Sequence, residues 1–367
     1  MKFQPVSHSW IALHPKAKGV IQFVGGALFG TFWPMFFYRS LLQRLFNDGY
    51  TIVILPFNFT FDHYAEAGFL IREQYEIMPE LVRRAIFAGY DFEPYLKDQN
   101  FSWLGHSVGC KYIALLEAFS TLPEISKPSD PNYNHDIQKL RKFIDSIVRS
   151  GNQKDSPVKI ERKVNSILAD LLILINDLEI KRREAVELIR YYIGNINETR
   201  NNRAKITETA IGTLQEKVEI SSIFIKNQPS LLLAPANTGL ESAVPQPFTP
   251  IVIALGLNVK PTKEETFALI KEAGLFDLMG LIAFKKDKIA KETVDWFKCS
   301  LKKPPQHLQQ DLERGHLEPL GIQLGSITIN FPIPCIKFTE KRNKKLETPV
   351  SQLFQRLKDR TPNPVQK

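Results

Sequence analysis

Short, largely apolar runs lie at 20–24, 51–55 and 101–104, the second without alternation and closed by Pro56. Short continuous apolar runs predict strands buried on both faces, as in a parallel sheet. The first run stops at Gly25-Gly26. A helical pattern over 36–46 then ends at Asn47-Asp48-Gly49, a C-cap signature, before the second run begins. Strand, helix and strand in that order make a βαβ unit. Residues 67–87 place Phe69, Leu70, Ile77, Leu81, Val82 and Ile86 at helical spacing, and Pro79 predicts a kink or a split. The third run leads directly into Gly105-His106-Ser107-Val108-Gly109, after which a helical pattern resumes over 110–119.

The pattern changes at 123–229. Pro128-Ser129-Asp130-Pro131 marks a loop, and the next hundred or so residues are almost wholly helical in periodicity. Val164, Ile167, Leu171, Leu174 and Leu178 alternate in steps of three and four, a seam for helix packing. This predicts an inserted helical, cap-like subdomain, antiparallel and folded over one end of the sheet. Strand and helix signals return at 230–233, at 263–273 after Pro261-Thr262, and at 278–284. The predicted fold class is therefore α/β: an α/β-hydrolase fold, with a mostly parallel central sheet, flanking helices and the insertion. Its parts are an N-terminal core segment at 1–123, the insertion at 124–229, a C-terminal core segment at 230–335 and a basic tail at 336–367.

Composition adds constraints. A chain of 367 residues can bury one large core plus a subdomain, and 43% hydrophobic with 24% charged residues is ordinary globular usage. Much of the excess behind the net charge of +9 lies near the C-terminus, but only Phe338 and Phe354 fall in the basic tail, too few for a stacking platform, so no nucleic-acid partner is expected. Cys110, Cys299 and Cys335 lack metal-ligand spacing, which predicts neither a disulfide framework nor a metal site. Residues 19–38 carry no charge before Tyr38, but Gln22, Gly25-Gly26, Gly30 and Pro34 interrupt them. They read as strand, turn and helix start rather than as a membrane span. A cytoplasmic protein is expected, with peripheral membrane contact open and the oligomeric state unread.

The candidate chemistry centres on Ser107. A G-x-S-x-G pentapeptide between a strand and a helix removes the Cβ clashes of a tight turn and lifts a serine hydroxyl above the sheet edge. Serine needs a base to take its proton and a carboxylate to orient that base, in the chain order Ser, acid, His. Asp287, shortly after the late apolar run, is the candidate acid, and Glu241 is held in reserve. His316, in Gly315-His316-Leu317-Glu318-Pro319, is the candidate base in preference to His307 beside Pro304-Pro305. The oxyanion donors are expected from Val108 and from the early loop at Gly26 and Ala27. Gly25, Leu28, Asp62, His63 and His106 are possible pocket residues, and Asp62 is equally suited to cap the next helix. No cofactor is required.

The segments Phe23-Val24-Gly25-Gly26-Ala27 with Pro34, Thr60-Phe61-Asp62-His63, the Gly105 pentapeptide with Cys110-Lys111, Leu231-Leu232-Leu233-Ala234-Pro235, Ser242-Ala243-Val244-Pro245, Asp287 with Ile289-Ala290, and Gly315-His316-Leu317 resemble a known family. It is the uncharacterised α/β-hydrolase-like family called domain of unknown function 1350, from cyanobacteria and plastid-bearing eukaryotes. The resemblance covers most of 1–123 and 229–320, and Glu318 departs from it where a hydroxyl residue is expected. It implies the hydrolase fold, a photosynthetic source and a nucleophile at Ser107, but no substrate. The expected function is an esterase, lipase-like enzyme or thioesterase on a small acyl or lipid-like substrate. The alternatives are a non-catalytic hydrolase-like binding protein and an acyltransferase.

Overall fold

The computed structural model describes residues 1–58, 60–126, 129–152, 155–199, 205–237, 259–274, 276–324, 327–330, 338–339 and 346–360. Eight strands form one mixed, mostly parallel sheet: β1 (Gln4–Val6), β2 (Ser9–Ala12), β3 (Val20–Val24), β4 (Thr51–Ile54), β5 (Phe101–His106), β6 (Ser230–Leu233), β7 (Met279–Phe284) and β8 (Gln309–Leu312). They lie in the order β1-β2-β4-β3-β5-β6-β7-β8. Every neighbouring pair from β4 to β8 is parallel, whereas β1, β2 and β4 pair antiparallel. The hairpin β1–β2 extends one edge and has no counterpart in the apolar-run reading.

Strand alternation divides the interior into two cores. Val20, Val24, Val53, Trp103, Leu232 and Leu281 face one side; Ile21, Phe23, Ile52, Ile54, Leu104, Leu231, Leu233 and Ile282 face the other. Both sides are covered by helices, so the strands carry no polar alternation. Gln22, the polar residue within β3, donates from its amide to Gln74 Oε1 at 2.7 Å, while its own Oε1 is buried without a partner.

After β3 come the short helices α1 (Ala27–Thr31) and α2 (Pro34–Phe37), then α3 (Arg39–Asn47), which packs on the second face. α4 (His63–Ala88) and α5 (Val108–Phe119) cover the first face. α4 continues unbroken through the buried Pro79, so the expected split does not occur. Tertiary burial on nearly every turn offsets the one hydrogen bond that proline removes.

The helical segment after α5 comprises α6 (Tyr133–Gly151), α7 (Pro157–Gly194), α8 (Ile196–Thr199) and α9 (Glu208–Glu216). α6 and α7 are antiparallel, Arg141 reaching Glu161 and Asn165. α7, by contrast, runs parallel to α4: Leu174 lies at Gly68, Asp177 pairs with Arg72 and Lys181 with Glu76. Val164, Leu171 and Leu178 of the seam are buried. The segment thus forms an outer layer on the helices of one face rather than a fold over the sheet's end. The reason lies in Gly68, where the missing side chain lets α7 approach α4 closely.

α10 (Lys263–Ala273) starts at Thr262 with a full capping box, and α11 (Lys291–Asp295) follows β7. The last helix, α12 (Glu347–Lys358), buries Leu346, Val350, Leu353, Phe354 and Leu357 in the second core. Residues 347–358, expected as part of a basic tail, are therefore structural. A separate antiparallel sheet contains β9 (Gly321–Leu324), β10 (Ile327–Asn330) and β11 (Phe338–Thr339). Among the described residues no helix is long and apolar enough to cross a membrane.

Candidate active site

β5 ends at His106 and α5 starts at Val108, leaving Ser107 alone in the turn with φ +55° and ψ −122°. A non-glycine residue held there costs about 1–3 kcal/mol and persists only if its surroundings fix it. Three backbone bonds do so. Ser107 N–H donates to Leu233 O at 3.1 Å, and Ser107 O accepts from Cys110 N–H at 3.1 Å and Ala236 N–H at 3.2 Å. The flanking glycines are steric requirements. A Cβ at Gly105 would stand 3.0 Å from Cys110 N and 2.8 Å from Ile113 Cδ1; one at Gly109 would strike the carbonyl oxygens of Val24 and Gly25.

Asp287 and His316 meet Ser107 from the loops after β7 and β8. His316 Nε2 lies 2.8 Å from Ser107 Oγ, and His316 Nδ1 lies 2.7 Å from Asp287 Oδ2. Asp287 Oδ1 accepts from Ile289 N–H at 2.8 Å and Ala290 N–H at 3.0 Å, which fixes the carboxylate plane. Burial pushes the Asp287 pKa up, but the bonds from His316, Ala290 and Ile289 outweigh it and hold the carboxyl below its ordinary value. Asp287 therefore accepts from Nδ1–H, which leaves Nε2 able to accept the Ser107 proton. The bond from Lys286 N–H to Arg314 O, 2.9 Å, staples the two loops together. The rival histidine, His307, is exposed and accepts from Arg356 through its carbonyl. Glu241 lies outside the described residues.

His106 does more than line a pocket. One ring nitrogen, Nε2, meets His316 O at 2.9 Å, and Nδ1 meets Tyr38 Oη at 2.8 Å. The carbonyl can only accept, so Nε2 carries the proton and Nδ1 accepts from the tyrosine. Tyr38 Oη in turn accepts from Gly26 N–H at 2.8 Å. Burial, reinforced by His316, lowers the His106 pKa to about 3, so the ring is neutral. Gly26 approaches closely: a Cβ there would stand 3.1 Å from Ser107 Cβ.

This chain corrects the oxyanion assignment. Gly26 N–H is committed to Tyr38 and is no free donor. Val108 and Ala27 are the first residues of α5 and α1, where an amide has no acceptor within its own helix. Gly25 packs against Gly30 and Tyr38, which makes it a close-packing position in the turn; Leu28 belongs to α1. Asp62 caps α4, accepting from Ala65 N–H at 3.0 Å. His63 is buried against Tyr112, and burial followed by the nearby Lys111 lowers its pKa to about 3. Tyr38 escaped the sequence reading because a tyrosine after Phe36-Phe37 is indistinguishable from core. Among the described residues no group of His, Cys, Asp and Glu is placed to hold a metal ion.

No curated protein and no solved structure matches this chain. Residues 2–125 match the family model described as Protein of unknown function (DUF1350), a span that includes Tyr38 and the whole pentapeptide and stops short of Asp287 and His316. The matched part carries β1 to β5 and Ser107, and over these residues, about a third of the chain, the protein is similar to the DUF1350 family.

Proposed function

We propose that this protein is a serine hydrolase of the α/β-hydrolase type that cleaves an ester or thioester of an acyl substrate. The observation that carries the reading is the hydrogen-bonded line from Asp287 through His316 to Ser107. The strained strand-to-helix turn at Ser107, and the chain order Ser, Asp, His, support it further. In the reaction, Ser107 Oγ bonds to the acyl carbon as its proton passes to His316 Nε2. Negative charge develops on the former carbonyl oxygen, and the amides of Val108 and Ala27 are its donors. His316 then gives the proton to the departing alkoxide or thiolate. Water, activated by the same imidazole, releases the acid and restores Ser107. Asp287 stays ionised throughout and holds Nδ1–H.

The test is labelling with a fluorophosphonate, followed by a chain-length series of acyl esters and thioesters. Wild type should label and turn over at least one ester, while Ser107→Ala should do neither. Labelling that survives Ser107→Ala would refute the reading.

A further inference from the structure

The rim around Ser107 carries apolar surface that the chemistry does not use. α1 and α2 follow β3 at the sheet's carboxyl edge, where Phe32 is 56% exposed, Trp33 71% and Phe36 37%. Trp33 is held in the left-handed region, φ +49°, as the residue before α2. Phe36 rests on Phe37, with centroids 5.5 Å apart, and Phe37 rests on Phe29 at 4.8 Å. α2 also packs against β9, the strand that follows the His316 loop. At the same edge, the loop after β7 exposes Ile289 together with Lys286 and Lys288, on either side of Asp287. Among the described residues neither lysine forms an ion pair, whereas neighbouring Lys285 is paired with Glu313 at 2.7 Å.

Tryptophan and phenylalanine favour the boundary between headgroups and acyl chains, and lysines beside them favour anionic headgroups. We propose that this rim is a docking face for an anionic lipid surface, with Phe32, Trp33 and Phe36 entering the interface and Lys286 and Lys288 meeting the headgroups. Charge selects this occupant: a second copy of the chain would set the same unpaired lysines against each other or against a neutral aromatic face. The inference goes beyond the hydrolase reading, because docking needs neither the Ser107 hydroxyl nor turnover.

The experiment is co-sedimentation of the full chain with phosphatidylcholine vesicles, with and without phosphatidylserine, at low and high salt. Binding should require phosphatidylserine and weaken as salt rises. Phe32→Ser with Trp33→Ser should reduce vesicle partitioning about tenfold or more, from the lost apolar insertion. Lys286→Glu with Lys288→Glu should reduce it by at least about thirtyfold, since each basic group near an anionic surface contributes about fivefold. Circular dichroism should confirm that both variants are folded, and Ser107→Ala should bind as wild type even if the hydrolase reading fails. No binding to either vesicle, binding indifferent to phosphatidylserine, or wild-type binding by the folded aromatic variant would overturn the proposal. So would dimerisation that is lost with Trp33→Ser.

Discussion

Tyr38→Phe removes one oxygen from the relay that joins Gly26, His106 and the backbone of His316. The ring stays, so packing against Phe23 is preserved. Two buried groups lose their partner: Gly26 N–H, now 2.8 Å from Tyr38 Oη, and His106 Nδ1, at the same distance. An orphaned buried donor or acceptor costs about 1–3 kcal/mol, so the two together give a stability loss of about 2–6 kcal/mol. A second consequence concerns the site. Without its tether, the Gly26 segment beside Ser107 loosens, and with it the adjacent Ala27 amide. A mispositioned oxyanion donor should slow fluorophosphonate labelling about tenfold, less than outright removal of such a donor. Urea unfolding followed by circular dichroism measures the first effect and labelling rates the second. Tyr191→Phe is the control: Tyr191 is 64% exposed, and its loss should change neither. A Tyr38→Phe protein within about 0.5 kcal/mol of wild type, labelling at the wild-type rate, would refute the relay.

Asp287→Asn should lower the labelling rate by about 10³–10⁴, because Nδ1 loses its carboxylate and the tautomer presented to Ser107 changes; measured rates within tenfold of wild type would count against the triad. Gly109→Ala should abolish soluble folded protein or cost at least about 3 kcal/mol in urea unfolding, since its Cβ meets two carbonyl oxygens that belong to β3 and its turn. Leu357→Ala should cost about 2–5 kcal/mol, as for other fully buried leucines, and a negligible loss would mean that α12 is not core. Glu117 is buried, accepts from Phe276 N–H at 3.2 Å, and has its pKa raised by burial from 4.5 to about 7. Its contribution is fully present below pH 4.5 and is lost as pH rises through 7, so Glu117→Gln should gain on wild type by up to about 1.4 kcal/mol per pH unit across that window. Parallel stability curves for the two proteins would contradict this.

Much of the framework was legible because β3, β4 and β5 are apolar on both faces, a pattern that only a covered sheet explains. Asp287 could be chosen because it follows an apolar run, and His316 because it stands further on in a loop set by Gly315 and Pro319, both in the required chain order. Other features gave no local signal. Gly26 looked like an oxyanion donor because glycines permit close approach, but the tyrosine that takes its amide lies twelve residues on and reads as core. The helix α12 was hidden by its place in the basic tail, although it carries only Arg356 and Lys358 itself, while Val350, Leu353, Phe354 and Leu357 form its buried stripe at helical spacing. Pro79 misled in the opposite direction, since intrinsic propensity gives way when sheet and α7 bury the helix from both sides. The hairpin β1–β2 is too short, with exposed Gln4 and Pro5, to leave an apolar run.

The outer helical layer also bears on how the chain is assembled. It leaves the core after α5 and re-enters just before β6, where Ile225 N–H donates to Ser120 Oγ at 3.1 Å. Departure and return are therefore neighbours in space, as the two stubs of a spliced rope are. A chain in which residues 121–224 were replaced by a short turn could still run from α5 into β6 without moving either, leaving Ser107, Asp287 and His316 on their own supports. Such a replacement would require polar residues on α4 and α10 where α7 and α6 now lie against them, and new donors for the buried Asp98, which Ser221 and Ser222 now satisfy.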